Sequence, residues 1–181
     1  MNFFELFGIK PSYFLKSEQL EKKFYELSRI LHPDKVQTKS IEELTEVTRK
    51  SALLNMAFKI LKNDDERAHY LFELAHFNLG AVKKSLPPEL AEEYFNLQEV
   101  LEEEGNKSEE IQSLIQNFSS LLEKQVVTQE TIRDEAFRGW EMAQGPLDER
   151  AFPFFTRAYD AIQQKNYLES MADDLEKKWP A

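Results

Sequence analysis

Four consecutive residues, His32-Pro33-Asp34-Lys35, set an imidazole, a rigid pyrrolidine, a carboxylate and an ammonium side by side. Such a set can present donors and acceptors to a partner's polar groups, because proline fixes the backbone while the side chains leave it together. It is not a catalytic set, since no nucleophile with an adjacent base accompanies it. The whole chain has no cysteine, three histidines and five glycines. That removes disulfides, thiolate catalysis and cysteine-held zinc or iron-sulfur clusters, and leaves no glycine-rich phosphate loop. His69 and His76 stand seven apart on a helical pattern, where they could share a face but are too distant for one metal. We therefore expect no enzyme, no metal and no cofactor.

The elements around the motif must hold it off a core. From Ser17 to Leu31, Leu20, Phe24, Leu27 and Leu31 recur at helical spacing, with Ser17 as the expected N-cap. Lys22, Lys23, Glu26 and Arg29 fall off that stripe and face water. Pro33 ends the helix, so residues 32–40 read as a loop. A second helix is predicted from Ile41 to about Lys62, with Leu44, Val47, Ser51, Leu54, Phe58 and Leu61 on one face. Two helices joined by such a loop pair antiparallel. Asn63 and Glu66, at capping-box spacing, open a short helix through Leu74.

The pattern breaks from His76 to Pro88, where Gly80 and Pro87-Pro88 mark a linker. The expected organisation is residues 1–76, a linker over 77–87, and a second domain over 88–181. In the latter, Leu90, Tyr94, Leu97 and Leu101 form one stripe and Ile111, Leu114, Ile115, Phe118, Leu121 and Leu122 another. Gly105-Asn106 reads as a turn, Gly145-Pro146 as a helix break, and a last stripe runs from Tyr159 through Leu175. Three long helices with short turns predict a bundle, so the fold class is all-α. Phe95 is left off the first stripe with no core role, and Glu99 follows one turn later on the same side.

Charge divides the halves. Residues 1–76 carry 12 basic and 12 acidic side chains, and the rest 11 basic against 21 acidic, so the net charge of -10 sits in the second half. Phosphate backbones would be repelled there, which argues against nucleic acid and for a basic protein partner. The N-terminal MNFFELFGIKPSYFL is interrupted by Glu5, Lys10 and Pro11 and is too short to span a bilayer. The cytoplasm is the expected compartment, with no membrane partner.

A helix with a basic outer face, the His-Pro-Asp triplet in a loop and a paired second helix resemble a J domain. NFFELFGI, SALLNMAFKIL, RAHYLFEL and about 90 C-terminal residues together are similar to the HscB family, J-domain co-chaperones of iron-sulfur cluster assembly. The resemblance implies that His32, Pro33, Asp34 and Lys35, with Lys22, Lys23 and Arg29, dock on an HscA/DnaK-type chaperone and stimulate its ATPase. It also implies that the second domain holds an IscU-like scaffold protein through Ala91, Glu92, Phe95 and Glu99 on its first helix and Tyr167 on its last. The chain departs from the family in two places. Leu90-Ala91-Glu92-Glu93 stands where the family tends to have a Phe-Leu-Met-Glu run, a less apolar patch. Residues 144–156, containing GPLDERAFPFF, look like an insertion whose phenylalanines would add core packing. The competing reading is a J-domain protein whose acidic bundle serves dimerisation or another client, which leaves monomer and weak dimer both open.

Overall fold

The computed structural model describes residues 2–31, 40–80, 86–104 and 109–178. The His32 to Lys35 motif and the Gly105-Asn106 turn lie outside them. Among the described residues the structure is helical, with no strand. It divides into two compact units, Met1–Asn78 with Glu141–Phe152, and Leu79–Trp140 with Pro153–Ala181.

The first unit opens on α1 (Phe3–Leu6), a single turn that owes its existence to both its ends. At the start, the Asn2 carboxamide oxygen accepts the Glu5 N–H at 2.9 Å and the Glu5 carboxylate accepts the Asn2 N–H at 3.0 Å. At its end, Gly8 takes φ +60°, while the Gly8 and Ile9 N–H groups donate to the Glu5 and Phe4 carbonyls, each at 3.0 Å. This Schellman pattern needs a left-handed residue, which glycine supplies without strain. Phe3 stacks on Tyr70 at 4.4 Å, and the Tyr70 hydroxyl accepts the Phe3 N–H at 2.8 Å.

The hairpin is α2 (Ser17–Ile30) against α3 (Ile41–Lys62). Ser17 is already inside α2. Its N-cap is Lys16, which makes no side-chain capping bond, so the expected serine cap is displaced by one residue. Phe24 stacks on Phe58 at 4.2 Å, above the buried Leu20, Leu54 and Leu61. The stripe frays at the start of α3: Leu44 is 45% exposed. The buried residues of α3, Leu54, Ala57 and Leu61, all lie in its C-terminal half.

Asn63 ends α3 and caps α4 (Asp64–Leu74), its side chain accepting the Glu66 N–H at 2.9 Å. The reciprocal half of a capping box is missing because the Asn63 N–H is still the last donor of α3, bonded to the Lys59 carbonyl at 3.3 Å. Replacing Asn63 by Ala leaves a helix start uncapped. The α4 amides should then lose about 1 kcal/mol of protection in native-state hydrogen exchange. Beyond α4, His76 sits in the left-handed region at φ 55° and the Phe77 N–H closes back to the Phe72 carbonyl at 2.9 Å. His76 therefore lies past the helix end and does not share a helical face with His69.

The second unit is built on α5 (Pro88–Glu104), most of α6 (Glu109–Met142) and α7 (Phe152–Lys178). Leu90 and Leu97 of α5, Phe118 and Leu122 of α6, and Leu168 and Leu175 of α7 form one buried cluster. Pro88 opens α5 at the first helical position, where its missing N–H costs nothing. Phe137, Trp140 and Phe155 make a further aromatic core, Trp140 and Phe155 at 5.4 Å. Phe152 to Thr156 are not inserted loop. They are the first turns of α7, with Pro153 tolerated there and Ala151 buried in the 3-10 turn Glu149–Ala151 that leads in. Phe155 gives the core packing expected of that segment.

Candidate functional site

On α2 the buried Leu20 turns one side to the core, which directs Lys22 and Arg29 outward as exposed side chains, with Lys23 half-buried. Among the described residues none of these three is paired with a carboxylate. By contrast Lys62 is held by Glu21 at 2.9 Å, an ion pair that ties α3 to α2. On α3, Arg49 forks onto Glu46 through Nε and Nη2, each at 2.9 Å, and this guanidinium holds the Glu46 carboxyl down at about 2. The positive charges of Lys22, Lys23 and Arg29 thus remain available, whereas Arg49 and Lys50 of α3 are compensated by Glu46. The α2 surface also carries Tyr25 and Ile30, 64% and 69% exposed. The sequence reading did not single them out. Their signal was there, since both are large apolar residues off the Leu20-Phe24-Leu27-Leu31 stripe.

The second candidate surface is on α5. Burial of Leu90 and Leu97, with Tyr94 and Leu101 packed against the same cluster, fixes the rotation of this helix. Glu92, Phe95 and Glu99 then project as exposed side chains and Ala91 is half-buried. Phe95 is 69% exposed and touches the edge of Tyr94, with ring centroids 6.4 Å apart. A phenylalanine so placed gives up hydrophobic burial of about 2 kcal/mol within its own fold. Tyr167 is half-buried on α7, next to the fully buried Leu168. Leu97 and Leu168 belong to one cluster, so α5 and α7, which carry the two aromatic candidates, share a core.

No group of three or more His, Asp or Glu side chains among the described residues could hold a metal ion. No described helix is long and apolar enough to cross a membrane. Exposed cations beside apolar side chains on one helix, and an exposed phenylalanine between carboxylates on another, are groups that recognise protein surfaces.

Known proteins resemble this chain at the level of sequence and fold. The DnaJ domain family matches residues 2–70. The co-chaperone protein HscB homologue of Vibrio vulnificus is 35% identical over 104 residues, 57% of this chain and 61% of that protein. The homologue of Shewanella halifaxensis is 38% identical over 80 residues, 44% of this chain and 46% of that protein. The matched stretch therefore spans less than two thirds of these curated relatives. Among solved structures, human co-chaperone protein HscB superposes with a TM-score of 0.63 at 20% identity, covering 98% of this chain and 82% of that one. Chaperone HscB from Vibrio cholerae gives 0.54 at 22% identity, covering 97% and 99%. Those two likenesses speak for the fold. This chain is therefore all-α, carries a DnaJ-domain match over residues 2–70, and is similar over part of its length to the HscB co-chaperones.

Proposed function

We propose that this protein is a non-enzymatic co-chaperone of iron-sulfur cluster assembly, which docks on an HscA/DnaK-type chaperone, stimulates its ATPase and delivers an IscU-like scaffold protein to it. The observation that carries the reading is the DnaJ match over residues 2–70, which encloses His32-Pro33-Asp34 at the end of a helix bearing Lys22, Lys23 and Arg29. The scaffold half rests on the α5 surface, where Phe95 stands exposed between Glu92 and Glu99. One molecule holding both partners raises their effective concentration for each other. Steady-state ATPase of the chaperone should therefore rise with this protein and rise again when scaffold is added. No rise with wild-type protein would dispose of the reading.

The scaffold surface has its own test. An exposed aromatic anchor whose truncation costs about 2 kcal/mol in a complex changes affinity about 30-fold. Phe95→Ala should weaken calorimetric scaffold binding by that order, and Tyr167→Ala should weaken it measurably. Unaltered binding in both variants would remove Phe95 and Tyr167 from the proposal. The exposure of Phe95 also suits a rival, in which the acidic bundle serves dimerisation or a different client. Sedimentation decides this, since a dimer disrupted by Phe95→Ala would favour the rival.

A further inference from the structure

One contact in the first unit has no counterpart in the residues matched as a DnaJ domain. Glu141, in the last turn of α6, is grouped with residues 1–78 in the same compact unit. A single carboxylate oxygen, Oε1, accepts from the Ser12 hydroxyl at 2.6 Å, the Tyr13 N–H at 2.9 Å and the Phe14 N–H at 3.4 Å. The three donors are consecutive and sit in an irregular stretch between α1 and α2, where no helical ladder takes up the amides. Accepting all three with one ionised oxygen fixes the path of the chain there, because charge-assisted bonds are the stronger kind.

That path matters for what Tyr13 does next. Its carbonyl accepts from Arg67 Nε at 2.6 Å, and its ring lies 5.2 Å from the Arg67 guanidinium carbon. Arg67 in turn donates to the Leu61 carbonyl at 2.6 Å, at the corner where α3 passes into α4. A second contact of the distant stretch, Phe152 against Phe77 with centroids 5.4 Å apart, reaches the end of α4.

We infer that Glu141 is a positioning residue of the J-type unit, which is completed by a carboxylate supplied from far outside the matched residues 2–70. It acts through Tyr13, not through any contact with a partner. The unit is thus discontinuous in sequence, and the amides of its 12–14 segment are held by an acceptor oxygen at position 141.

The test uses the full chain and amide hydrogen exchange resolved by residue. In Glu141→Ala the Tyr13 and Phe14 amides should exchange about tenfold or more faster, the scale of one lost charge-assisted bond. The Tyr13 amide proton should also move upfield as that bond is lost. Glu141→Gln retains an acceptor oxygen and should keep both amides within about threefold of wild type. Glu135→Ala, which removes an ion pair to Arg157 in the second unit, should leave them unchanged. The inference is overturned if Glu141→Ala leaves these two amides protected. It is equally overturned if Glu141→Gln fails to rescue them, or if the acceleration is uniform along the chain. Because the readout involves no chaperone, it stands apart from the proposed function.

Discussion

Substituting Gln for His32 is expected to lower stimulation of the chaperone's ATPase by about 30-fold, to near the basal rate, the effect of removing one central contact worth about 2 kcal/mol. Gln keeps a polar side chain of similar length, so the variant tests the imidazole and not bulk. His32 follows the end of α2 at Ile30 and precedes α3, which Ser40 opens with a full capping box. Folding should therefore be unchanged, and far-ultraviolet dichroism with thermal unfolding checks it.

The same measurement separates two roles within the proposed docking surface. Loss of an interaction made only in the activated complex lowers the maximal rate, whereas loss of one made equally before and after activation raises the half-saturating concentration. The loop is proposed for the first role, so His32→Gln should reduce the maximum. Lys22, Lys23 and Arg29 are proposed for steering, which is screened by salt. Replacing the three by Ala should raise the half-saturating concentration, most at low ionic strength, with little change in the maximum. A variant at His32 that only shifted the half-saturation point would place the loop with the docking charges and undo the division.

Much of this was legible beforehand, for reasons that can be named. The hairpin and the bundle follow from apolar residues at helical spacing, and Leu20, Leu54, Leu61, Leu90, Leu97 and Leu122 all lie in the core as the stripes require. Where the stripe misled, at Leu44, periodicity ran on past the part of α3 that carries buried residues. Residues 152–156 were read with an insertion between the last two helices, yet they open α7, where Pro153 is tolerated in the first turn. Asn2 and Glu5 did display capping-box spacing, but a four-residue helix is too short for periodicity to announce. Phe95 was legible by elimination, being off its stripe. What no pattern could reveal were polar contacts to backbone across long separations. Glu141 and Ser12 are 129 positions apart, and Arg67 and Tyr13 are 54 apart. Side-chain type does not encode which distant carbonyl will need a donor.

Arg67 carries the second large effect. Charged side chains are seldom fully buried, yet Arg67 is 4% exposed. Its Nε and Nη1 satisfy the carbonyls of Tyr13 and Leu61, and its Nη2 pairs with Asp64. Leu61 lies in the last turn of α3, where carbonyls have no intrahelical partner and a cation is favoured by the helix dipole. Arg67→Met retains most of the volume but leaves both carbonyls without their donor, at about 1 to 3 kcal/mol each, and forfeits the stacking on Tyr13. The first unit should lose about 3 kcal/mol or more, seen as faster exchange of α1 and α4 amides and an earlier unfolding transition. Arg67→Lys should recover only part, since one ammonium cannot span acceptors that a guanidinium fork meets in three directions. Asp64→Ala, by contrast, removes a partner that is itself mostly exposed and should cost under about 1 kcal/mol. If Arg67→Met proved no more damaging than Asp64→Ala, the bonds to the two carbonyls would not be what holds the corner. With the expected order, the corner between α3 and α4 depends on a donor fork, and that fork also holds the carbonyl of Tyr13, whose amide Glu141 accepts.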